Sequence, residues 1–98
     1  MTTGPDKSEQ YTVKRYQFTR RFRQDYKALP DNIQRAFEGK LELFMDNILH
    51  PSLRVKRIQG TQNIWEGSVT MKYRFTFELI ESQAIFRAIG THDILKKA

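Results

Sequence analysis

Cysteine is absent from this chain of 98 residues, which excludes disulfide bonds and thiol nucleophiles. No apolar run approaches the roughly 18 residues that a membrane-spanning helix needs. The first ten residues, MTTGPDKSEQ, are polar and lack the apolar stretch of a secretory signal peptide. These absences predict a cytoplasmic protein that makes no contact with a membrane.

Acidic residues are few relative to basic ones, with 11 Asp and Glu against 17 Lys and Arg, so the formal net charge is +6. Residues 51–98 hold eight basic and four acidic side chains, so most of the positive excess lies in the second half. A basic surface favours an anionic partner, with nucleic acid first and an acidic protein second.

The hydrophobic pattern predicts one domain. Residues 1–11 contain Gly4 and Pro5 and are expected to form a flexible leader, and residues 12–98 form a single domain that begins with a strand over 12–18. Apolar residues then recur at helical spacing in two successive stripes. The first stripe is Phe18, Phe22, Tyr26 and Leu29, and the second is Ile33, Phe37, Leu41, Phe44 and Ile48. Pro30 ends the first helix, and Asp31 can cap the second.

After the helices the pattern changes to strands. The segment His50-Pro51 ends the helical region, because a residue before proline is pushed to an extended conformation. Four strands follow, namely Leu53–Gln59, Ile64–Thr70, Lys72–Ile80 and Ala84–Ile89, with a short terminal helix over Asp93–Lys97. The predicted fold class is therefore α+β, with two antiparallel helices on one face of a twisted antiparallel sheet of four or five strands.

Arg74 lies within an aromatic strand. Alternation places Tyr73, Phe75, Phe77 and Leu79 on one face of that strand and Arg74, Thr76 and Glu78 on the other. Arg74 can pair with Glu66 or Glu78, but a cross-strand ion pair contributes only ~0.2–1 kcal/mol. A functional role for Arg74, at a phosphate, is therefore favoured over a purely structural one.

Other basic and aromatic side chains have two open interpretations. Arg54, Lys56 and Arg57 either hold the phosphates of a nucleic acid or form the charged edge that protects a sheet from further pairing. Trp65 either packs in the core or stacks on a base.

The two histidines are candidates for proton transfer, because imidazole titrates near neutrality. His92 follows Gly90 closely, and His50 precedes Pro51; a surface or capping role is the structural alternative for each. With no cysteine and no His-x-His or His-Glu-x-x-His spacing, the sequence predicts no metal site. It also lacks a glycine-rich phosphate loop and a Gly-x-Ser-x-Gly elbow, which argues against nucleotide hydrolases and serine hydrolases and predicts no cofactor.

Several segments in order resemble the RelE/ParE superfamily of toxins. These are Tyr16-x-Phe18 through Leu29-Pro30, the stretch HPSLRVKRIQGTQNIWEGSVTMKYRFTF, and the ending FRAIGTHDILKK. The resemblance covers about residues 12–97, and its sharpest elements are Tyr73-Arg74-x-x-Phe77 and Gly90-Thr91-His92.

The resemblance implies the toxin of a type II toxin–antitoxin module, a metal-independent endoribonuclease that cleaves mRNA on the ribosome through attack by the 2′-hydroxyl. Its partners would be a cognate antitoxin, mRNA and the ribosome. Arg74 would stabilise the transition-state charge, and His92 would be the general acid or base. His50 and Trp65 resemble residues of the YafQ-like and YoeB-like branches. The implied RNA-binding set is Arg54, Lys56, Arg57, Trp65 and Lys96.

The general base remains open among Glu66, His50 and Lys56, because the strand before Arg74 lacks the lysines that RelE carries there. Two alternatives to the ribonuclease also remain. ParE-like relatives share the fold and poison DNA gyrase, and a relative without activity would only bind an antitoxin.

Overall fold

The computed structural model describes residues 12–97. Within that range no helix is both long and apolar enough to cross a membrane. The expectations for residues 1–11 and for residue 98 lie outside the described range.

Two helices form the layer that covers the sheet, α1 at Arg20–Lys27 and α2 at Asp31–Asp46. The Thr19 hydroxyl caps α1 by accepting a hydrogen bond of 3.1 Å from the Phe22 amide. The helix therefore starts two residues later than the Phe18 that the apolar stripe predicts. Ile48, the last residue of the second stripe, lies beyond the end of α2 yet is buried, because the chain turns extended at Asn47 and still packs on the core.

Five strands form one sheet with the order β1-β5-β4-β3-β2. Their bounds are β1 Arg15–Phe18, β2 Lys56–Arg57, β3 Ile64–Ser68, β4 Tyr73–Ile80 and β5 Gln83–Thr91. Strands β2 to β5 pair antiparallel as predicted, but β1 pairs parallel to β5. The whole helical layer and three strands separate β1 from β5 in the chain, so no hairpin forces those two strands to run antiparallel.

The predicted strand Leu53–Gln59 is largely wrong, since only Lys56–Arg57 pairs with the sheet. Residues Pro51–Leu53 form one turn of 3-10 helix, which Arg54 ends in the left-handed conformation at φ 48°. Leu53 is fully buried there, so its apolar character reflects the anchoring of a turn. The terminal helix is also a 3-10 segment, His92–Lys97.

The core lies between the helices and one face of the sheet. Its largest fully buried side chains include Phe22, Phe44, Phe75, Phe77 and Phe86. Phe75 and Phe77 confirm the alternation predicted for β4, which leaves Arg74, Thr76 and Glu78 on the opposite face of the sheet. We call that opposite face the open face.

Gly67 has a packing role at the centre of β3. It pairs with Phe75 of β4, and a Cβ atom added to Gly67 would lie 2.3 Å from Cζ of the Phe75 ring. The ring therefore occupies the space that any side chain at residue 67 would need.

Candidate active site

The Arg74 guanidinium is fixed on the open face by groups from β3 and the following turn. Its Nη1 donates hydrogen bonds to the Ser68 hydroxyl at 2.5 Å and to the Thr70 carbonyl at 2.8 Å. Its Nε lies 3.9 Å from Oε1 of Glu66, and the two side chains are only 16% and 12% exposed. Nη2 has no hydrogen bond or ion pair within residues 12–97. A planar guanidinium with one end held and one nitrogen available suits the binding of a phosphate oxygen.

The pairing of Arg74 with Glu66, one of the two structural alternatives for the arginine, is present. It coexists with a geometry suited to function, because Ser68 and Thr70 orient the guanidinium independently of the carboxylate. Lys56 lies opposite Glu66 in the register of the β2–β3 ladder, so its side chain shares the open face. The open face thus holds a carboxylate between two cations.

His92 starts the terminal 3-10 segment where β5 ends. In the β4–β5 ladder Gly90 pairs with Arg74 and Thr91 pairs with Tyr73, so His92 is the next residue after the last rung. A Cβ atom at Gly90 would lie 3.0 Å from Cγ2 of Ile94, which places Ile94 on the same face as Arg74. The chain therefore folds back over the open face beside Arg74, and the imidazole of His92 is exposed at the start of this turn.

His50 lies at the start of the turn Pro51–Leu53 rather than on the sheet. Its Nδ1 accepts a hydrogen bond of 3.1 Å from the Ser52 amide and lies 3.0 Å from the Ser52 hydroxyl. An amide can only donate, so in this arrangement Nδ1 carries no proton and the neutral ring is protonated at Nε2. His50 therefore caps the turn through Nδ1 and keeps Nε2 available for other contacts.

A pocket of about 190 Å³ lies between this turn and the β3–β4 hairpin. Its lining residues are Lys40, Ser52, Arg54, Ser68, Val69, Thr70 and Met71. Lys40 comes from α2, and its Nζ donates to the Ser52 carbonyl at 3.3 Å. Ser68 and Thr70 line the pocket and also hold Arg74, so the pocket adjoins the arginine.

Trp65 and Arg57 lie on the other face of the sheet. The Trp65 ring stacks on Phe77 with centroids 6.4 Å apart, and the Arg57 guanidinium carbon lies 5.2 Å from the Trp65 ring centroid. The indole nitrogen donates to Asn63 at 3.3 Å. This packing corresponds to the core interpretation of Trp65, and it separates Trp65 and Arg57 from Arg74 by the thickness of the sheet.

Of the remaining predicted residues, Lys96 is exposed and lies 3.5 Å from the Asp93 carboxylate. Within residues 12–97, no group of three or more His, Cys, Asp or Glu side chains is arranged to hold a metal ion. The structure thus brings together Arg74, Glu66 and Lys56, and His92 is the first residue beyond the β4–β5 ladder. It places His50 and Arg54 on the neighbouring turn.

Sequence reasoning missed the polar residues that support this cluster, namely Lys40, Ser52, Ser68 and Thr70. Ser68 had a usable signal, because it lies two residues after Glu66 and so falls on the same face of β3. Lys40 had none, since one more lysine on a helix is ordinarily a solvated side chain.

Comparisons with known proteins connect this geometry to a set of solved structures. No family model matches the sequence, and no curated protein sequence matches it either. The RelB–RelE antitoxin–toxin complex from Methanococcus jannaschii contains a similar chain, with a TM-score of 0.68 and 22% identity, covering 82% of this chain and 94% of that one.

Two further solved structures are as similar to this chain, by TM-score, as the RelB–RelE complex is. YafQ in the DinJ–YafQ toxin–antitoxin complex of E. coli has a TM-score of 0.69 at 16% identity, covering 88% of this chain and 97% of that one. The YoeB/ParE toxin from Agrobacterium tumefaciens has a TM-score of 0.69 at 12% identity, covering 81% of this chain and 99% of that one. The chain therefore has the fold of the RelE, YafQ and YoeB/ParE toxins.

Proposed function

We propose that this protein is the toxin of a type II toxin–antitoxin module and that it cleaves mRNA on the ribosome, in the cytoplasm. The fold shared with RelE and YafQ supports the toxin role. The observation that supports the nuclease activity is the fixed Arg74 guanidinium, held by Ser68 and Thr70 on the open face with Glu66 beside it. His92 follows two residues after Gly90, the ladder partner of Arg74.

The proposed reaction is an internal phosphoryl transfer that needs no metal ion. The 2′-hydroxyl of one nucleotide attacks the adjacent phosphorus, and the bond to the 5′-oxygen of the next nucleotide breaks. The products are a 2′,3′-cyclic phosphate and a free 5′-hydroxyl. One proton leaves the 2′-hydroxyl and one proton joins the departing 5′-oxygen, so the reaction calls for one base and one acid.

We assign Arg74 to the charge that builds up on the phosphoryl oxygens, because its free Nη2 can bind one of them. Glu66 is the best base, since its carboxylate lies beside the same guanidinium. His92 is the acid. Its exposed imidazole comes directly after Thr91, which pairs with Tyr73 at the end of the β4–β5 ladder. His50, whose Nδ1 is engaged by Ser52, supports the turn.

Arg54 and Lys56 would bind further phosphates of the mRNA strand, and Lys96 would extend this track along the terminal segment. Trp65 and Arg57, on the opposite face, would then serve packing. A cognate antitoxin would neutralise the protein by covering the basic residues with an acidic or amphipathic segment, because it must hide a surface suited to polyanions.

Mapping of transcript 5′ ends after induced expression tests the proposal. The wild-type chain is expected to arrest growth and to create new ends that carry a 5′-hydroxyl. Arg74→Ala removes transition-state stabilisation, and a loss of about 10²–10³-fold in cleavage rate is expected. His92→Ala removes the proton donor, and a loss of about 10²–10⁴-fold is expected.

Arg35→Ala is the matched control, because Arg35 is an exposed arginine on α2 away from the open face and its loss changes the net charge equally. It is expected to cleave like the wild-type chain. Growth arrest without new mRNA ends would overturn the nuclease proposal, and DNA breaks with translation intact would point to gyrase as the target. An absence of toxicity would favour a relative that only binds an antitoxin.

A further inference from the structure

The small pocket beside Arg74 is lined by basic residues without any acidic residue. Of its seven lining residues, two are cationic, Lys40 and Arg54, and none is acidic. The two cations come from different elements, α2 and the turn after His50, so only the tertiary fold brings them together. Neither has an ion-pair partner within the described part of the chain.

Both cations are positioned by the backbone of the same turn. Lys40 is half-buried and uses one of its three ammonium donors on the Ser52 carbonyl, which leaves two for a ligand. Arg54 adopts φ 48° and ψ 44°, a left-handed conformation that is uncommon for a residue with a side chain. The turn holds Arg54 there, because its amide donates to the Pro51 carbonyl and Leu53 is buried beneath it. Backbone strain of this kind is found preferentially at ligand sites.

The remaining lining residues define what the pocket accepts. The Thr70 hydroxyl accepts from the Lys72 and Tyr73 amides, so its proton can be donated to an anion without adding charge. The Ser52 and Ser68 hydroxyls donate to His50 Nδ1 and to the Thr70 carbonyl. A volume of about 190 Å³ is small, and it opens next to the two residues that hold Arg74. Two cations and one hydroxyl donor in a small space fit the oxygens of a tetrahedral oxyanion.

We propose that this pocket binds a phosphate of the RNA strand next to the phosphate that Arg74 binds, with Lys40 and Arg54 as its cationic ligands. The inference rests on the proposed function, and it adds Lys40, from the helical layer, to the RNA-binding surface. Binding at this second phosphate fixes the strand relative to Arg74 and contributes to affinity.

The experiment uses the full chain and an RNA oligonucleotide that carries one 2′-deoxynucleotide at the cleavage position, which prevents the reaction while the phosphates remain. Binding is followed by NMR, with inorganic phosphate alone in a parallel titration. The amides of Ser52, Arg54 and Thr70 are expected to shift with both probes, and those around Arg74 with the RNA. Lys40→Gln and Arg54→Gln are each expected to weaken RNA binding about tenfold or more.

Each of these substitutions is also expected to lower by about one the slope of the logarithm of the binding constant against the logarithm of salt concentration. Lys72→Gln is the control, because Lys72 is exposed on the same hairpin but does not line the pocket. In cleavage assays Lys40→Gln is expected to raise KM while kcat stays close to that of the wild-type chain. A merely structural role would change the amide spectrum of the unbound protein and leave the salt slope unchanged.

RNA affinity and salt slope that are the same in Lys40→Gln and the wild-type chain would overturn the inference, even if mRNA is cleaved. The inference would also be overturned if the amides of Ser52 and Arg54 shifted with inorganic phosphate but did not shift with the RNA oligonucleotide. Binding at the pocket with no cleavage of mRNA in the cell would instead count against the proposed nuclease and leave the phosphate site standing.

Discussion

Gly67 shows how one residue without a side chain controls the packing of the sheet. The Phe75 ring fills the space over Gly67 and is itself enclosed by Phe37, Phe44 and Phe86. The ring therefore has little room to move aside. We expect Gly67→Ala to lower the free energy of unfolding by about 1–3 kcal/mol, as measured by urea denaturation.

Gly39→Ala provides the control for this prediction. Gly39 lies within α2, and an added Cβ atom there meets no heavy atom within 4 Å. The same chemical change is expected to stabilise the protein by about 0.5–1 kcal/mol, because alanine favours the helix more than glycine does. A Gly67→Ala variant as stable as the wild-type chain would contradict the overlap with Phe75.

Tyr26 links folding to pH at the alkaline end. Burial, followed by the hydrogen bond to Glu38 and the charge of that carboxylate, raises the pKa of Tyr26 from 10.0 to about 12. Above pH 10 the unfolded chain would release this proton while the folded chain keeps it. The stabilisation is therefore complete below about pH 10 and is lost as the pH rises towards about 12.

Urea denaturation at about pH 9 and about pH 11 tests this linkage, within the range where tyrosine titrates. The free energy of unfolding is expected to fall more between these two values in the wild-type chain than in Tyr26→Phe. Tyr16→Phe is the matched control, because Tyr16 is 42% exposed and is expected to behave as the wild-type chain does. Equal falls in all three proteins would refute the assignment.

At the scale of elements, Thr19 joins the first helix to the sheet. Its hydroxyl accepts from the Phe22 amide at 3.1 Å and donates to the Arg87 carbonyl of β5 at 3.1 Å. Thr19→Ala removes both hydrogen bonds, and we expect it to lower the free energy of unfolding by about 1–2 kcal/mol. Thermal or urea denaturation measures the change.

Thr19→Ser keeps the hydroxyl and is expected to restore most of that stability, because serine is as good an N-cap as threonine. If the serine variant were as unstable as the alanine variant, the threonine methyl group rather than its hydroxyl would be responsible.

The elements that sequence predicts best are those whose pattern is local. The stripe Ile33, Phe37, Leu41 and Phe44 repeats at helical spacing, and the alternation across Tyr73–Ile80 repeats at strand spacing, so both elements were found. The turn Pro51–Leu53 was not found, because a leucine that is buried in a turn cannot be distinguished by sequence from a leucine that is buried in a strand. The parallel pairing of β1 with β5 depends on contacts between distant segments, which no local pattern records.

The site divides in the same way. Arg74 and His92 were predicted as site residues because each residue type was unusual at its place in the pattern, and their roles stay predictions. The environment of Arg74 was not, since its bonds to Ser68 and Thr70 depend on the register of β3 against β4. Lys40 and Arg54 meet only because the turn after α2 folds back against the hairpin.

At the scale of the whole molecule, Phe86 of β5 joins the helical layer to the sheet. Its side chain is fully buried. Its ring contacts those of Tyr16, Phe18, Phe22, Phe37, Phe44, Phe75 and Phe77. Phe86→Ala is expected to cost about 3–5 kcal/mol, a large share of the ~5–15 kcal/mol that stabilises a typical domain.

Circular dichroism during heating measures this effect. The Phe86→Ala variant is expected to have a much lower midpoint temperature of unfolding, or to be unfolded already at room temperature. Ile80→Ala, at a position that is 45% exposed, is the control and is expected to change stability by no more than about 0.5 kcal/mol. A Phe86→Ala variant that melts with the wild-type chain would show that the two layers do not depend on this ring.

The pairing of β1 with β5 also has a consequence for synthesis. The ribosome releases β1 early, but the strand that it pairs with, Gln83–Thr91, is translated some seventy residues later. Until then β1 has no neighbour in the sheet, and the rung that carries Gly90 opposite Arg74 does not exist. Sheet closure and assembly of the candidate site therefore both depend on β5. In a growing chain, Arg74 therefore lacks its partner Gly90, and the cluster lacks His92, until β5 and the residue after it have been translated.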